Sequence, residues 1–265
     1  MEEQHNYIEI NKALWDEKTQ HHVSSAFYKM DDFLNGSSSL NLIELNLLGN
    51  VSGKSVLHLQ CHFGQDTLSL ARMGAKATGV DFSGEAIKKA IELNDQLGLD
   101  ARFVCSDVYE LPVNLQGQFD MVYTSYGVLG WLPDMKKWAG VVSHFLKPGG
   151  TFVLVEFHPV VWMFSNEFTE IQYSYFNREA IIETLTGTYA DRDADIRKTE
   201  IGWNHDLSEV MQSLIDAGLN ITTFREFDTS PYDCFRNTVE VSPGGFQIKG
   251  LEGKIPMVYA LRASK

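Results

Sequence analysis

Residues 57–71 read LHLQCHFGQDTLSLA, and this stretch decides the fold. It completes a short apolar run, SVLHL, that is typical of a buried strand. Gly64 then permits a tight turn, and QDTLSLARMG has the apolar spacing of a helix that ends at Gly74. A second strand, ATGVD, ends in Asp81. Strand, turn, helix and strand in this order predict a βαβ unit with two parallel strands.

The alternation of strands and helices continues as far as residue 157. Ser83 is a candidate N-cap for the second helix, and ARFVC and FDMVYT have the composition of the third and fourth strands. MKKWAGVVSHFL predicts a helix ended by KPGG, and TFVLVEF predicts a fifth strand. The pattern therefore predicts an α/β fold with a doubly wound, mostly parallel sheet and helices on both faces.

Two segments outside this pattern are predicted to cover it. Residues 6–35 predict short helices, and Ser39 could cap a helix over LNLIELNLLG. Residues 158–202 have no helical period, so we expect a β-rich insertion of the kind that often binds ligands or forms a lid. A helix, DLSEVMQSLIDAG, and two strands, LNITTFREF and MVYALRA, follow, with a loop between the strands. We expect an N-terminal helical cap over 1–50 and a main domain over 51–265.

Composition limits the partners. The 265 residues carry a net charge of -13, and an acidic surface repels nucleic-acid phosphates. No apolar run approaches the roughly 20 residues that span a bilayer, and the polar start MEEQHNYIEI does not resemble a secretory signal. Three widely spaced cysteines fit a reducing compartment better than a disulfide framework. We expect a cytoplasmic monomer or homodimer without nucleic-acid or membrane partners.

The histidines and cysteine of LHLQCHFG raise the alternative of a metal site. His58 and His62 are four residues apart, which brings side chains together only on a helix, and this stretch is predicted to be strand and loop. No further ligand or CxxC pair lies nearby, so we expect no metal. Asp81 instead lies where a carboxylate in a nucleotide-binding βαβ unit accepts hydrogen bonds from both ribose hydroxyls.

The loop is also poor in glycine. A dinucleotide-binding loop needs several glycines so that its backbone can approach a pyrophosphate. Gln60 and His62 occupy positions where small residues would be needed, and only Gly64 remains. The loop therefore favours a ribose-bearing cofactor without a diphosphate, and it disfavours a nicotinamide cofactor.

Five stretches together resemble the class I S-adenosylmethionine-dependent methyltransferases over roughly residues 50–157. They are VLHLQCHFGQDTLSLA, GVDFS, CSDVYELP, FDMVYTSYGVLGWLPD and LKPGGTFVLVEF. The common family loop reads acidic-x-Gly-x-Gly-x-Gly, whereas this chain has His58, Gln60 and His62 before Gly64. A branch of the family carries the same LQCHFGQDT string. The resemblance implies a Rossmann-like, seven-stranded sheet whose last strand is antiparallel and inserted beside the fifth.

The resemblance also implies how S-adenosylmethionine would be held. Asp81 would bind the ribose, Asp107 the adenine amino group, and Val108 would offer its backbone N–H. Tyr28 resembles a tyrosine that closes over the cofactor, where its ring would attract the sulfonium. Each position also has a purely structural interpretation, such as a cap, a turn or helix packing. The complete predicted set is Tyr28, Gln60, Cys61, His62, Gly64, Gln65, Asp81, Phe82, Asp107, Val108, Ser125 and Tyr126.

Methyl transfer from a sulfonium is an in-line displacement that depends mainly on positioning, and a base is needed only where the acceptor loses a proton. His158 and His205 are the candidate catalytic residues, with structural histidines as the alternative. Four aromatic residues could form an apolar acceptor pocket or a hydrophobic cluster: Trp162, Tyr173, Tyr175 and Trp203. The predicted function is methylation of an unidentified small molecule. A non-catalytic S-adenosylmethionine sensor and an NAD(P)-dependent oxidoreductase are the alternatives.

Overall fold

The computed structural model describes residues 6–265, so the first five residues of the predicted cap lie outside the described part. Its strands are β1 Ser55–Leu59, β2 Lys76–Asp81, β3 Arg102–Cys105, β4 Phe119–Ser125, β5 Leu146–Phe157, β6 Ile181–Thr186, β7 Arg197–Gly202, β8 Asn220–Phe227, β9 Thr238–Ser242, β10 Gly245–Ile248 and β11 Val258–Ser264. Its helices are α1 Tyr7–Ser24, α2 Met30–Leu34, α3 Leu42–Leu48, α4 Gln65–Arg72, α5 Gly84–Leu97, α6 Leu111–Asn114, α7 Met135–Phe145 and α8 Leu207–Asp216.

Seven strands form the central sheet in the order β3-β2-β1-β4-β5-β11-β8. Strand β1 pairs in parallel with both β2 and β4, and β11 pairs antiparallel with both β5 and β8. The chain runs outward from β1 to β3 and then returns to β4, so the strand order reverses between β1 and β4. Such a switch point leaves a crevice at the carboxyl ends of the strands. The predicted fold class, including the antiparallel last strand beside β5, is confirmed.

The core lies on both faces of this sheet because alternate strand residues point to opposite sides. In β4, Val122 packs in the cluster that contains Trp138 of α7 and Val210 of α8. Its neighbours Met121 and Tyr123 pack in the cluster that contains Leu48 of α3 and Leu70 of α4. Burial of both faces explains why the central strands are almost continuously apolar.

Three local predictions were wrong. Asn41, not Ser39, caps α3, because Asn41 and Glu44 form a capping box, while the Ser39 hydroxyl donates to Asp66 at 2.6 Å. The segment KPGG does not separate α7 from β5, since β5 begins at Leu146 and Leu146 is the register partner of Phe119 in β4. The predicted loop near the C-terminus contains the β9–β10 hairpin, with SPGG at its turn.

The cap and the insertion contact each other. Residues 6–35 form one 18-residue helix, α1, followed by shorter helical segments, and the insertion contains the β6–β7 hairpin. The buried Asn11 amide donates to the Ile201 carbonyl at 2.8 Å and accepts from the Ile201 N–H at 3.0 Å. Lys18 pairs with Glu200 at 3.1 Å beside this contact. Helix α1 is therefore attached to β7 by a pair of buried hydrogen bonds.

Replacing Asn11 with alanine should loosen this attachment. Asn11→Ala leaves the buried N–H and C=O of Ile201 without partners, at a cost of about 1–3 kcal/mol for each unsatisfied group. We expect faster hydrogen–deuterium exchange in α1 and β7 and unchanged exchange in β1 and β4. Lys12→Ala, at the next and exposed position of the same helix, is the control. Equal protection of α1 in both variants would contradict the role of the Asn11 contact.

Candidate functional site

A cavity of about 1460 Å³ lies at the carboxyl ends of the parallel strands. It is lined by segments that follow β1, β2, β3, β4 and β5, and by residues of the cap and the insertion. Ligand pockets for one small molecule are typically about 300–1,000 Å³, so this cavity has room for two ligands. All twelve predicted cofactor residues line it: Tyr28, Gln60, Cys61, His62, Gly64, Gln65, Asp81, Phe82, Asp107, Val108, Ser125 and Tyr126.

The loop after β1 has the backbone of a glycine-rich loop although it has one glycine. Gln60, His62 and Gly64 all have positive φ, at 56°, 50° and 82°. A left-handed conformation costs a residue with a Cβ about 1–2 kcal/mol. The sequence therefore departs from the family pattern at positions 60 and 62, while the left-handed backbone that favours glycine is retained at both.

Specific hydrogen bonds hold this strained loop. The Gln60 amide donates to the Val128 carbonyl at 2.8 Å, which ties the loop after β1 to the loop after β4. The His62 backbone N–H donates to the Asp81 carboxylate at 2.8 Å, and the His62 ring lies 3.0 Å from the His22 ring nitrogen to nitrogen. The loop is therefore fixed to β2, to the β4 loop and to the cap.

Asp81 lies at the end of β2, and the sequence predicted that its carboxylate binds the ribose of the cofactor. It is 8% exposed, and each carboxylate oxygen accepts one backbone N–H, from His62 and from Ser83 at 2.9 Å. Burial raises the pKa of Asp81 to about 6. The helix cap is Ser83, whose hydroxyl accepts from the Ala86 N–H, so the capping alternative for Asp81 is not needed. Each carboxylate oxygen retains a lone pair for a ligand hydroxyl.

Asp107 and Val108 follow β3 on the wall of the cavity. One Asp107 oxygen accepts the Tyr109 N–H at 2.7 Å, and burial raises the pKa of this carboxyl. The turn interpretation and the adenine interpretation are compatible here, since the turn bond occupies one acceptor position and the carboxylate has others.

Gly64 is required by packing behind the loop. A Cβ at this position would lie 2.7 Å from the Phe103 ring and 2.9 Å from the Ala90 Cβ. The neighbouring Cys61 is buried, and burial raises the pKa of its thiol well above the usual value, so the thiol is neutral. Gly64 and Cys61 therefore let the loop pack tightly against the layer formed by β2, β3 and α5.

Sequence reasoning missed the residue that shapes the loop after β4. Glu156 is 3% exposed in β5, and its carboxylate accepts the backbone N–H groups of Gly127, Val128, Leu129 and Phe157. This one side chain gathers the amides of the loop that carries Tyr126. The signal was available, because a glutamate in the apolar strand TFVLVEF must find buried hydrogen-bond donors.

The cap reaches the loop through Tyr28. Its backbone carbonyl accepts from the Gln65 amide at 3.0 Å, and its ring stacks on His22 with centroids 5.4 Å apart. Its hydroxyl shares a hydrogen bond with Tyr189, which lies between β6 and β7. Tyr189 was not predicted as a site residue. It completes a cover to which the cap and the insertion both contribute.

The structure does not bring His158 or His205 to the cavity. His158 bonds Glu226 at 2.9 Å through Nε2 and accepts the Val160 N–H through Nδ1. His205 bonds Glu209 at 2.9 Å and the Leu132 carbonyl at 2.7 Å. Both rings are buried with both nitrogens engaged, which corresponds to the structural alternative for each histidine.

The acceptor pocket also differs from the predicted set. Trp162 lines the cavity, whereas Tyr173, Tyr175 and Trp203 are not among its lining residues. Trp203 packs instead on Tyr7 of α1, with ring centroids 5.1 Å apart. Across residues 6–265, no three His, Cys, Asp or Glu side chains are grouped to hold a metal ion. His58, which lies in β1 and was a candidate metal ligand, contacts the Thr67 hydroxyl at 2.9 Å.

Comparison with known proteins relates part of the chain to a family. Residues 56–150 match the family model described as a methyltransferase domain. The matched segment contains β1 to β4 and the loop after β1, so the predicted resemblance to methyltransferases is confirmed over these residues.

Relatives of known name match part of the chain. An uncharacterized methyltransferase from Synechocystis is 34% identical over 131 residues, which cover 49% of this chain and 59% of that protein. A ubiquinone biosynthesis O-methyltransferase from Chromobacterium violaceum is 32% identical over 101 residues, 38% of this chain and 43% of that protein. The matches thus span about half the length of these curated relatives.

Solved structures extend the likeness in fold beyond the matched segment. An S-adenosylmethionine-dependent methyltransferase from Mesorhizobium loti superimposes with a TM-score of 0.58 at 18% identity. The superposition covers 88% of this chain and 100% of that one. No helix among residues 6–265 has the length and apolar composition needed to span a membrane.

Gly64 and Gly98 provide a matched test of the packing behind the loop. Both have positive φ, but a Cβ at Gly98 would meet no atom within 4 Å. We expect Gly98→Ala to lower the free energy of unfolding by about 1 kcal/mol through its backbone alone. Gly64→Ala should cost about 1–3 kcal/mol more, since the methyl group would displace Phe103. Urea denaturation measures both, and equal losses would contradict the packing requirement.

Proposed function

We propose that the protein transfers the methyl group of S-adenosylmethionine to a small organic acceptor. The observation that carries this proposal is the cavity above the switch point of the sheet. It is lined by Asp81, Asp107 and the left-handed loop, and its volume accommodates a second ligand beside a cofactor. The matched relatives, which are named as methyltransferases, support the same activity.

The described side chains fit the adenosine end of this cofactor. Asp81 presents a buried carboxylate with free lone pairs, suited to two ribose hydroxyls. Asp107 would accept from the adenine amino group, and Val108 lines the same part of the cavity. We propose these three residues as the adenosine site, with Phe82 beside them.

When bound, S-adenosylmethionine supplies a methyl group on a positively charged sulfur. The chain's contribution is to hold donor and acceptor in line, which can lower a barrier by roughly 7–11 kcal/mol. Glu156 fixes the loop after β4, and Gln60 ties that loop to the loop after β1. Tyr28 and Tyr189 bridge the cap and the insertion above them and would exclude water.

The acceptor would lie against an aromatic wall at the end of β5. Phe157, Trp162 and Phe235 line the cavity and contact one another, with ring centroids 4.9–5.9 Å apart. Such edge-to-face clusters suit a flat, apolar ligand. We propose an acceptor with an aromatic or unsaturated ring. The relative named as a ubiquinone biosynthesis O-methyltransferase supports this class of acceptor.

We further propose a cap over residues 1–50, a catalytic domain over 51–265, and a cytoplasmic location. The support for the location is chemical: Cys61, Cys105 and Cys234 are all free thiols. We also propose that the protein acts as a monomer or homodimer without nucleic-acid or membrane partners.

Ligand-dependent stability tests the cofactor assignment. S-adenosylhomocysteine at about 100 times its dissociation constant should add about 2.7 kcal/mol of stability and raise the Tm. Asp81→Ala should weaken this binding by about tenfold or more, since it removes hydrogen bonds to a charged group. Asp95→Ala, on the exposed face of α5, is the control. The cofactor assignment would be rejected if millimolar ligand did not shift the Tm of the wild type, or if Asp81→Ala bound the ligand with equal affinity. Methyl transfer to any compound in a metabolite extract would exclude the alternative of a non-catalytic sensor.

The pKa of Asp81 predicts a pH dependence of cofactor binding. Its folded-state pKa, about 6, lies above the ordinary 3.8 because of burial, with a smaller contribution from the nearby Asp16 carboxylate. The contribution of protonated Asp81 to the free energy of unfolding is complete below about pH 4 and is lost as the pH rises through about 6. Ribose binding needs the ionised form, so S-adenosylhomocysteine should bind about tenfold more weakly near pH 5 than near pH 7.5. Calorimetry should show no such change in affinity between pH 5 and pH 7.5 in Asp81→Asn. An identical change in that variant would show that another group causes the pH dependence.

A further inference from the structure

The side chains at the two loop positions where the family has glycine each leave one buried polar atom without a partner among residues 6–265. Gln60 donates through its amide nitrogen, but within the described part of the chain Gln60 Oε1 has no hydrogen-bond partner. His62 contacts His22 through Nε2, but its Nδ1 has no partner among the same residues. Both residues line the cavity. Most buried polar atoms in proteins are hydrogen-bonded, so two such atoms on one loop require an explanation.

Structural necessity does not explain these residues. Glycine would adopt φ values of 56° and 50° without strain, whereas glutamine and histidine each sacrifice about 1–2 kcal/mol there. Backbone strain and unpaired polar atoms both lower stability, and such features cluster at sites where ligands bind. The ligand would therefore supply the missing hydrogen bonds.

The chemistry of the two atoms defines the ligand group. Gln60 Oε1 can only accept a hydrogen bond. Burial lowers the pKa of His62 to about 3 and that of His22 to about 2, so both rings are neutral. When His62 Nε2–H donates to His22 Nδ1, His62 Nδ1 carries a lone pair. In this tautomer both loop side chains present acceptors, whereas His62 Nδ1 would carry a proton if His22 Nδ1–H donated instead.

Charged side chains of both signs line the cavity: Lys18, paired with Glu200 at 3.1 Å, contributes to the lowered pKa of the His62 ring, and Asp66 is an acid. Asp66, in the first turn of α4, lines the cavity and accepts hydrogen bonds from the Ser39 and Ser125 hydroxyls. Its carboxylate takes part in none of the ion pairs formed within residues 6–265. A carboxylate without a cationic partner adds electrostatic attraction for a positive or strongly polarised N–H group.

We propose that Gln60 Oε1 and His62 Nδ1 form a side-chain site that accepts hydrogen bonds from an N–H or O–H group of a bound ligand. A loop with glycine at both positions cannot form this site. The donor is the amino group of the cofactor's amino-acid end or a hydroxyl or amine of the acceptor. The inference rests on the proposed methyltransferase function and adds a binding role for two side chains.

Glycine substitutions test the site because they remove the acceptors and relieve the backbone. The variants are Gln60→Gly and His62→Gly, and the control is Asn237→Gly. Asn237 also has a φ of 56° and also donates its side-chain amide to a backbone carbonyl, that of Glu167, but it is exposed and outside the cavity lining. Each variant should remain folded, which its Tm verifies.

Two pairs of probes distinguish the source of the donor. Calorimetry compares S-adenosylhomocysteine with 5′-methylthioadenosine, which lacks the amino-acid end. With S-adenosylhomocysteine saturating, a second titration compares phenol with toluene, which lacks the hydroxyl. The first ratio is the affinity for S-adenosylhomocysteine divided by that for 5′-methylthioadenosine, and the second is the affinity for phenol divided by that for toluene. We expect at least one of these ratios to fall about tenfold in Gln60→Gly or His62→Gly, and neither to change in Asn237→Gly. A fall in the first ratio identifies the cofactor's amino group, and a fall in the second identifies the acceptor.

The outcomes separate the two levels of the proposal. Wild-type protein that binds S-adenosylhomocysteine, with both ratios unchanged in both loop variants, would overturn the side-chain site alone. Wild-type protein that binds no S-adenosylhomocysteine would overturn the proposed function and this inference with it.

Discussion

The hydrogen bond between the His62 amide and the Asp81 carboxylate is the constraint on which the site depends. It joins the loop after β1 to the end of β2 across the pair of strands at the start of the domain. The parallel register that pairs Leu59 with Val80 places these two groups side by side. A carboxylate held there at 8% exposure needs donors on both oxygens, and the loop supplies one of them. The loop and the carboxylate therefore determine each other's position.

A left-handed loop built from residues other than glycine requires support from outside itself. Here the support comes from three directions: Val128 after β4, Asp81 in β2 and His22 in the cap. Glu156 in turn organises the segment that contains Val128. The loop after β1 is thus held by a connected set of hydrogen bonds to three other segments.

The sequence was informative where a residue's role depends on its place in a strand–loop–helix repeat. Asp81, Asp107 and Ser125 lie at or just after the ends of successive strands, so their presence at one edge of the sheet could be predicted from the repeat alone. The antiparallel β11 required the family resemblance, since nothing in MVYALRA reveals its direction.

The remaining features depend on contacts between distant segments. His158 follows a strand of the sheet, as several cavity residues do, yet its ring turns to Glu226 in β8, a contact that no local pattern encodes. Tyr189 reaches Tyr28 across 161 positions of the chain. Glu156 was detectable in principle as an acid in an apolar strand, but three of its four amide partners lie in a loop whose course only the fold defines.

The attachment of α1 to β7 also bears on how the chain matures. Asn11 and Ile201 are 190 positions apart, so the contact of α1 with β7 can form only after residue 201 has been made, whereas the contacts of α1 with Ser83 and His62 are available earlier. Contacts of such long sequence separation form late because the intervening chain must first be ordered. Until then, α1 is a polar helix of little intrinsic amphipathicity, and its stability depends on tertiary packing. The wall of the cavity that the β6–β7 hairpin contributes therefore joins the cap only after residues 181–202 have been made.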